Sequence, residues 1–99
     1  NFADNAAQDG GGTGEDVDDV LDFAQVSGTA TITNNSGTEE GDTATVEDGS
    51  SNTVLNIELV NGGDDAEITA AAGDFSGSIT LVGVGDLGNL GDDNFNFSG

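Results

Sequence analysis

Residues 55 to 70 read Leu55-Asn56-Ile57-Glu58-Leu59-Val60-Asn61-Gly62-Gly63-Asp64-Asp65-Ala66-Glu67-Ile68-Thr69-Ala70. Leu55, Ile57 and Leu59 alternate with Asn56 and Glu58, and Ala66, Ile68 and Ala70 alternate with Asp65, Glu67 and Thr69. A period of two puts one set on an apolar face and the other in water, which is the pattern of a half-buried strand. Asn-Gly followed by Gly supplies the positive φ that a tight hairpin turn needs. This stretch therefore predicts two antiparallel strands joined at residues 61–64.

The same period runs outward in both directions. Val26, Ala30 and Ile32 lie opposite Thr29, Thr31 and Thr33, and Ala44 and Val46 lie opposite Thr43, Thr45 and Glu47. Ile79 and Leu81 point one way while Thr80, Val82 and Val84 point the other, and Phe95 and Phe97 close the series. Turn formers separate the runs, at Asn34-Asn35-Ser36-Gly37, Asp48-Gly49-Ser50-Ser51-Asn52 and Gly85-Asp86-Leu87-Gly88. About six short strands joined by polar turns predict an all-β fold, a small antiparallel β-sandwich with Greek-key connections. The Thr-Ala-Thr-Ile-Thr and Thr-Ala-Thr-Val runs are too irregularly spaced for a solenoid.

The N-terminal part is different. Of 23 Val, Ile, Leu and Phe residues, residues 1 to 19 hold only Phe2 and Val17. Residues 1–14 read as a Gly/Asp-rich extended arm, with residues 15–99 as one β-domain. Val17, Val20, Leu21 and Ala24 fall at helical spacing, Thr13 with Asp16 resembles a capping box, and Glu15, Asp16, Asp18 and Asp19 suit a helix N-terminus. A short helix is expected over 15–24. The start at Asn1, with no Met and no apolar leader, is what a processed or excised chain would show.

The 99 residues include 14 Asp, 6 Glu and no Lys, Arg or His, for a formal charge of −20. With no basic side chain the chain cannot neutralise phosphates, which excludes nucleic-acid partners and anionic membrane surfaces. No apolar run is long enough for a membrane-inserted helix. Without His, Cys or Lys there is no Ser-His-Asp triad, thiol nucleophile, Schiff base or ordinary zinc ligation. Carboxylate dyads remain, but the Asp-Thr/Ser-Gly string of aspartic proteases is missing from Asp42-Thr43-Ala44 and Asp48-Gly49-Ser50, and no Trp or Tyr offers a sugar platform. No enzyme is expected.

What the composition does suit is hard, oxygen-seeking cations. Asp16, Asp18, Asp19 and Asp22 form the densest acidic group, with Asp64 and Asp65 on the hairpin turn and Asp92 and Asp93 near the C-terminal strand. Calcium, which takes six to eight oxygens from carboxylates, carbonyls and water, is the expected ion. The stretch Gly88-Asn89-Leu90-Gly91-Asp92-Asp93-Asn94-Phe95-Asn96 resembles one calcium-binding nonapeptide repeat of RTX proteins. That resemblance implies a tight turn at Gly88 and Gly91, a ligand at Asp93 and an inward side chain at Phe95, with Asn89 departing from the usual Gly. It covers nine residues, whereas RTX rolls stack several copies.

Asn34-Asn35-Ser36 and Asn96-Phe97-Ser98 fit the N-glycosylation acceptor pattern. The Thr-x-Thr runs are similar to the hydroxyl faces of ice-binding proteins, over too few ranks to make one.

These features lead to a structural subunit of an extracellular or cell-surface filament, sheath or matrix. It would be a homopolymer joined by arm or strand exchange and dependent on divalent cations. Phe2 would anchor the arm, and the Phe95 and Phe97 strand would serve assembly. The alternative is a calcium-stabilised module of a larger secreted adhesin.

Overall fold

The computed structural model describes residues 20–71 and 73–98. The chain forms strands β1 (Leu21–Ser27), β2 (Thr31–Thr33), β3 (Thr43–Glu47), β4 (Thr53–Val60), β5 (Asp65–Ala70), β6 (Ser78–Leu81) and β7 (Phe95–Ser98). Two single 3₁₀ turns, Leu87–Asn89 and Asp92–Asn94, precede β7. The fold is a small all-β one, as the alternation predicts.

β2 to β6 make a five-stranded antiparallel sheet in sequential order. The central hairpin pairs Ile57 with Ile68 and Leu59 with Ala66, and its turn puts Asn61, Gly62 and Gly63 at positive φ. The connections are up-and-down, so the expected Greek key is replaced by a meander: each turn is short enough to join neighbouring strands. β1 and β7 form a separate two-stranded parallel sheet, with Leu21 opposite Phe95, Asp22 opposite Asn96 and Phe23 opposite Phe97.

The expected helix over 15–24 is corrected at its C-terminal end, because residues 21–24 belong to β1. Residues 15–19 lie outside the described residues. Leu21 and Phe23 follow a strand period, and Phe23 is buried with its ring 6.1 Å from that of Phe97 and 5.8 Å from that of Phe75. A parallel partner and two aromatic contacts outweigh a few residues of helical spacing, since a helix this short gains little alone.

Two further expectations are redrawn. Val26 and Ile32 belong to different strands, because the chain bends at Gly28 (φ +97), where a Cβ would come within 3.0 Å of the Gly49 amide nitrogen. β6 stops at Leu81, and Gly83 (φ +88) turns the chain so that Val84 is buried while Val82 stays 70% exposed.

One core serves both sheets. Val46, Leu55, Ile57, Leu59 and Ile68 from the larger sheet join Phe23, Val26, Phe95 and Phe97 from the smaller, giving the sandwich its interior. Each such fully buried aliphatic or aromatic side chain contributes roughly 1.5–3 kcal/mol. Leu87 and Leu90, on the loop before β7, are buried in the same core, and that loop is tied to residues 35–37. The Leu87 amide donates to the Gly37 carbonyl (3.0 Å), and Asn35 Nδ2 donates to the Leu90 carbonyl (2.7 Å).

Candidate functional site

The outward side chains of the larger sheet form ranks across its strands. In register, Thr33, Thr45, Asn56, Thr69 and Ser78 make one rank, and Thr43, Glu58, Glu67 and Thr80 the next. The Thr33 and Thr45 hydroxyl oxygens are 2.8 Å apart, and Glu47 Oε2 lies 3.0 and 2.7 Å from them, accepting from both strands. Glu58 and Glu67 stand directly opposite each other. Like charges in that position repel, so this pair opposes the strand pairing that the Thr33, Thr45 and Glu47 contacts support.

The acidic positions singled out in the sequence separate into those the fold uses and those it leaves in water. Asp92 Oδ1 accepts from the Ile32 amide (2.8 Å), satisfying a donor on the outer side of edge strand β2. Asp65 accepts from the Gly83 amide (3.0 Å) and from Asn61 Nδ2 (2.8 Å). The Gly83 amide, and next the Asn61 side chain, hold its pKa below the ordinary carboxylate value. Asp64 is exposed on the hairpin turn. Asp22 is exposed on β1 and accepts from Asn96 Nδ2 (3.3 Å) on β7.

The backbone of Asp93 lies in the second 3₁₀ turn. Asp16, Asp18 and Asp19 lie outside the described residues, as does Phe2. Among the described residues, no three carboxylates come together in a way that could hold a metal ion.

The stretch 88–96 turns Phe95 inward, at 4% exposure. It forms two 3₁₀ turns beside an antiparallel meander, and Asp86 Oδ1 accepts from the Gly88 amide (2.9 Å) at the start of the first. In the second, Asn94 is fully buried and its Oδ1 accepts from the Gly91 amide (2.8 Å). Of the glycosylation acceptors, Asn34 is exposed on a turn at φ +59, whereas Asn96 sits in a strand with its amide donating to Asp22.

Phe95 and Phe97, expected as assembly residues, are 4% and 5% exposed in the single chain. A groove of 510 Å³ runs between residues 28–31, which lead into β2, and Phe95–Phe97 of β7, with Val20 and Asp92 completing its lining. β2 and β7 are each an edge of their own sheet. Val20, the first described residue, lines the groove and is 47% exposed.

Sequence reasoning missed this groove because it arises from residues more than sixty positions apart; the one local trace is Gly28, which separates β1 from β2. Its lining mixes the apolar Val20, Ala30, Phe95 and Phe97 with the polar Thr29, Thr31 and Asn96 and one carboxylate, Asp92. Compared with known protein families, curated proteins and solved structures, the chain shows no match.

Proposed function

We propose that this chain is a structural subunit of an extracellular filament, sheath or matrix, assembling with copies of itself by arm or strand exchange. The observation that carries this reading is the groove between two edge strands, lined in part by Val20, the first described residue. Edge strands offer unpaired backbone groups to any extended segment that reaches them, and strand addition is a common way to join chains. A head-to-tail contact of this kind extends into a fibre and does not close on itself.

The composition supports the same reading. A charge of −20 with no compensating side chain makes subunits repel one another, so assembly depends on external cations such as calcium. Electron microscopy of the purified chain, with calcium and again with excess chelator, tests the proposal. Regular filaments that thin out or dissolve on chelation are the expected result. A monodisperse monomer in both conditions overturns it. If that monomer also melts at a higher temperature with calcium, the adhesin-module reading takes its place.

A further inference from the structure

We infer that Asn61–Gly62 is a self-modification site, able to close to a succinimide and open to aspartate or isoaspartate, and that Glu40 and Asp65 hold it unreacted in the folded chain. It is the one Asn-Gly pair in the sequence. In the reaction the Gly62 nitrogen bonds to Asn61 Cγ, the Cγ–Nδ2 bond breaks, and the proton lost by the nitrogen leaves with Nδ2 as ammonia. Water then opens the five-membered imide at either carbonyl. Asparagine is thermolabile by this route, and a following glycine favours it because no side chain shields the attacking nitrogen. Both residues are exposed on the β4–β5 turn, and a Cβ placed on Gly62 would meet nothing within 4 Å. Steric cover therefore does not protect the pair.

The fold instead supplies a partner for each reacting group. The Gly62 amide donates to Glu40 Oε1, 22 positions away. Ring closure needs that amide to lose its proton. The Glu40 carboxylate opposes the loss twice, by holding the proton and by repelling the charge that would form. Asn61 Nδ2 donates to Asp65 Oδ2 (2.8 Å), so the carboxamide has to leave a carboxylate before Gly62 can attack it. The Gly63 amide donates to the Val60 carbonyl (3.1 Å) across the pair, so the peptide link cannot rotate far without opening the turn.

Backbone contacts fix Glu40 in its place. The Gly41 amide donates to the Leu59 carbonyl (2.8 Å). A Cβ on Gly63 would come within 3.1 Å of the Thr38 carbonyl oxygen and 3.2 Å of the Glu40 nitrogen, so the loop before β3 is seated on the turn. Reaction would put a carboxylate against Asp65 where an amide now donates, and the isoaspartate product would also lengthen the turn's backbone. With no basic side chain in the sequence, nothing in the chain offsets the added charge.

The test follows conversion of the full chain in mildly alkaline buffer. Cleavage after glutamate releases residues 59–67, whose single asparagine is Asn61, and mass spectrometry reads the change from amide to acid. The folded chain is expected to convert at least about tenfold more slowly than the same chain in urea, the scale of one hydrogen bond to a charged group. Glu40→Ala should bring the folded rate most of the way to the urea rate, with circular dichroism melting checking that the fold is kept and with both chains alike in urea. Where the alanine variant does not hold its fold, Glu40→Gln keeps the side chain's length, removes the charge and must also speed conversion. Equal rates for the parent chain folded and in urea, or a folded Glu40 variant no faster than the parent, would overturn the inference. Neither result bears on the assembly reading, which needs no reaction at Asn61.

Discussion

Asp48 organises a turn by accepting from the backbone amides of Ser50 (2.9 Å) and Asn52 (3.0 Å). These bonds, that to Asn52 foremost, lower its pKa, as the Gly83 amide lowers that of Asp65. A carboxylate with a depressed folded-state pKa contributes stability that is present above its ordinary value of 3.8 and lost as pH falls through the lower folded value. NMR titration should therefore find both carboxyls ionising below 3.8, with the 48–52 turn and the Asp65–Gly83 contact loosening only in that acid range. At Gly85 the constraint is steric: a Cβ would lie 2.8 Å from the Gly63 carbonyl oxygen, closer than such atoms pack. Gly85→Ala should cost about 1–3 kcal/mol, the usual range for forcing atoms into a filled site, and lower the melting temperature accordingly.

Among the elements, the β4–β5 hairpin carries both the strongest sequence signal and a charge conflict. Glu58 and Glu67 face each other on its exposed side, and replacing one of such a pair by a neutral β-former removes repulsion of about 0.2–1 kcal/mol. Glu67→Thr should raise the unfolding free energy by that amount, read as a higher denaturation midpoint with little change in the slope. The meander was legible because alternation and turn residues are local: Leu55, Ile57 and Leu59 point inward as their spacing implies, and Asn61, Gly62 and Gly63 make the turn. β1 was not. Val17, Val20, Leu21 and Ala24 fit a helical face, and the partner that makes residues 21–27 a strand begins 74 residues later. Parallel pairing at that distance leaves no local periodicity to read. The role of Asp92 was hidden for the same reason, since it acts on Ile32, 60 positions away. Asp92→Ala should strand that edge amide at a cost of about 1–3 kcal/mol, readable as faster amide exchange at Ile32.

For the whole molecule the unbalanced charge governs behaviour. The described residues span 29 Å, and the screening length falls from about 30 Å at 0.01 M salt to about 3 Å at 1 M. Melting temperature should rise across that range, by about 4–8 °C for each kcal/mol of repulsion removed. Calcium at matched ionic strength should add a further rise where it bridges acidic surfaces between subunits. A curve that depends on ionic strength alone would assign the whole effect to screening. The same charge bears on assembly, because copies that repel at low salt need screening before they can join. The most direct test of arm exchange is to compare, by electron microscopy in calcium and high salt, the full chain with a chain lacking residues 1–14. Regular filaments are expected from the full chain and none from the shortened one, with both melting at the same temperature. Filaments of ordinary length from the shortened chain would contradict arm exchange.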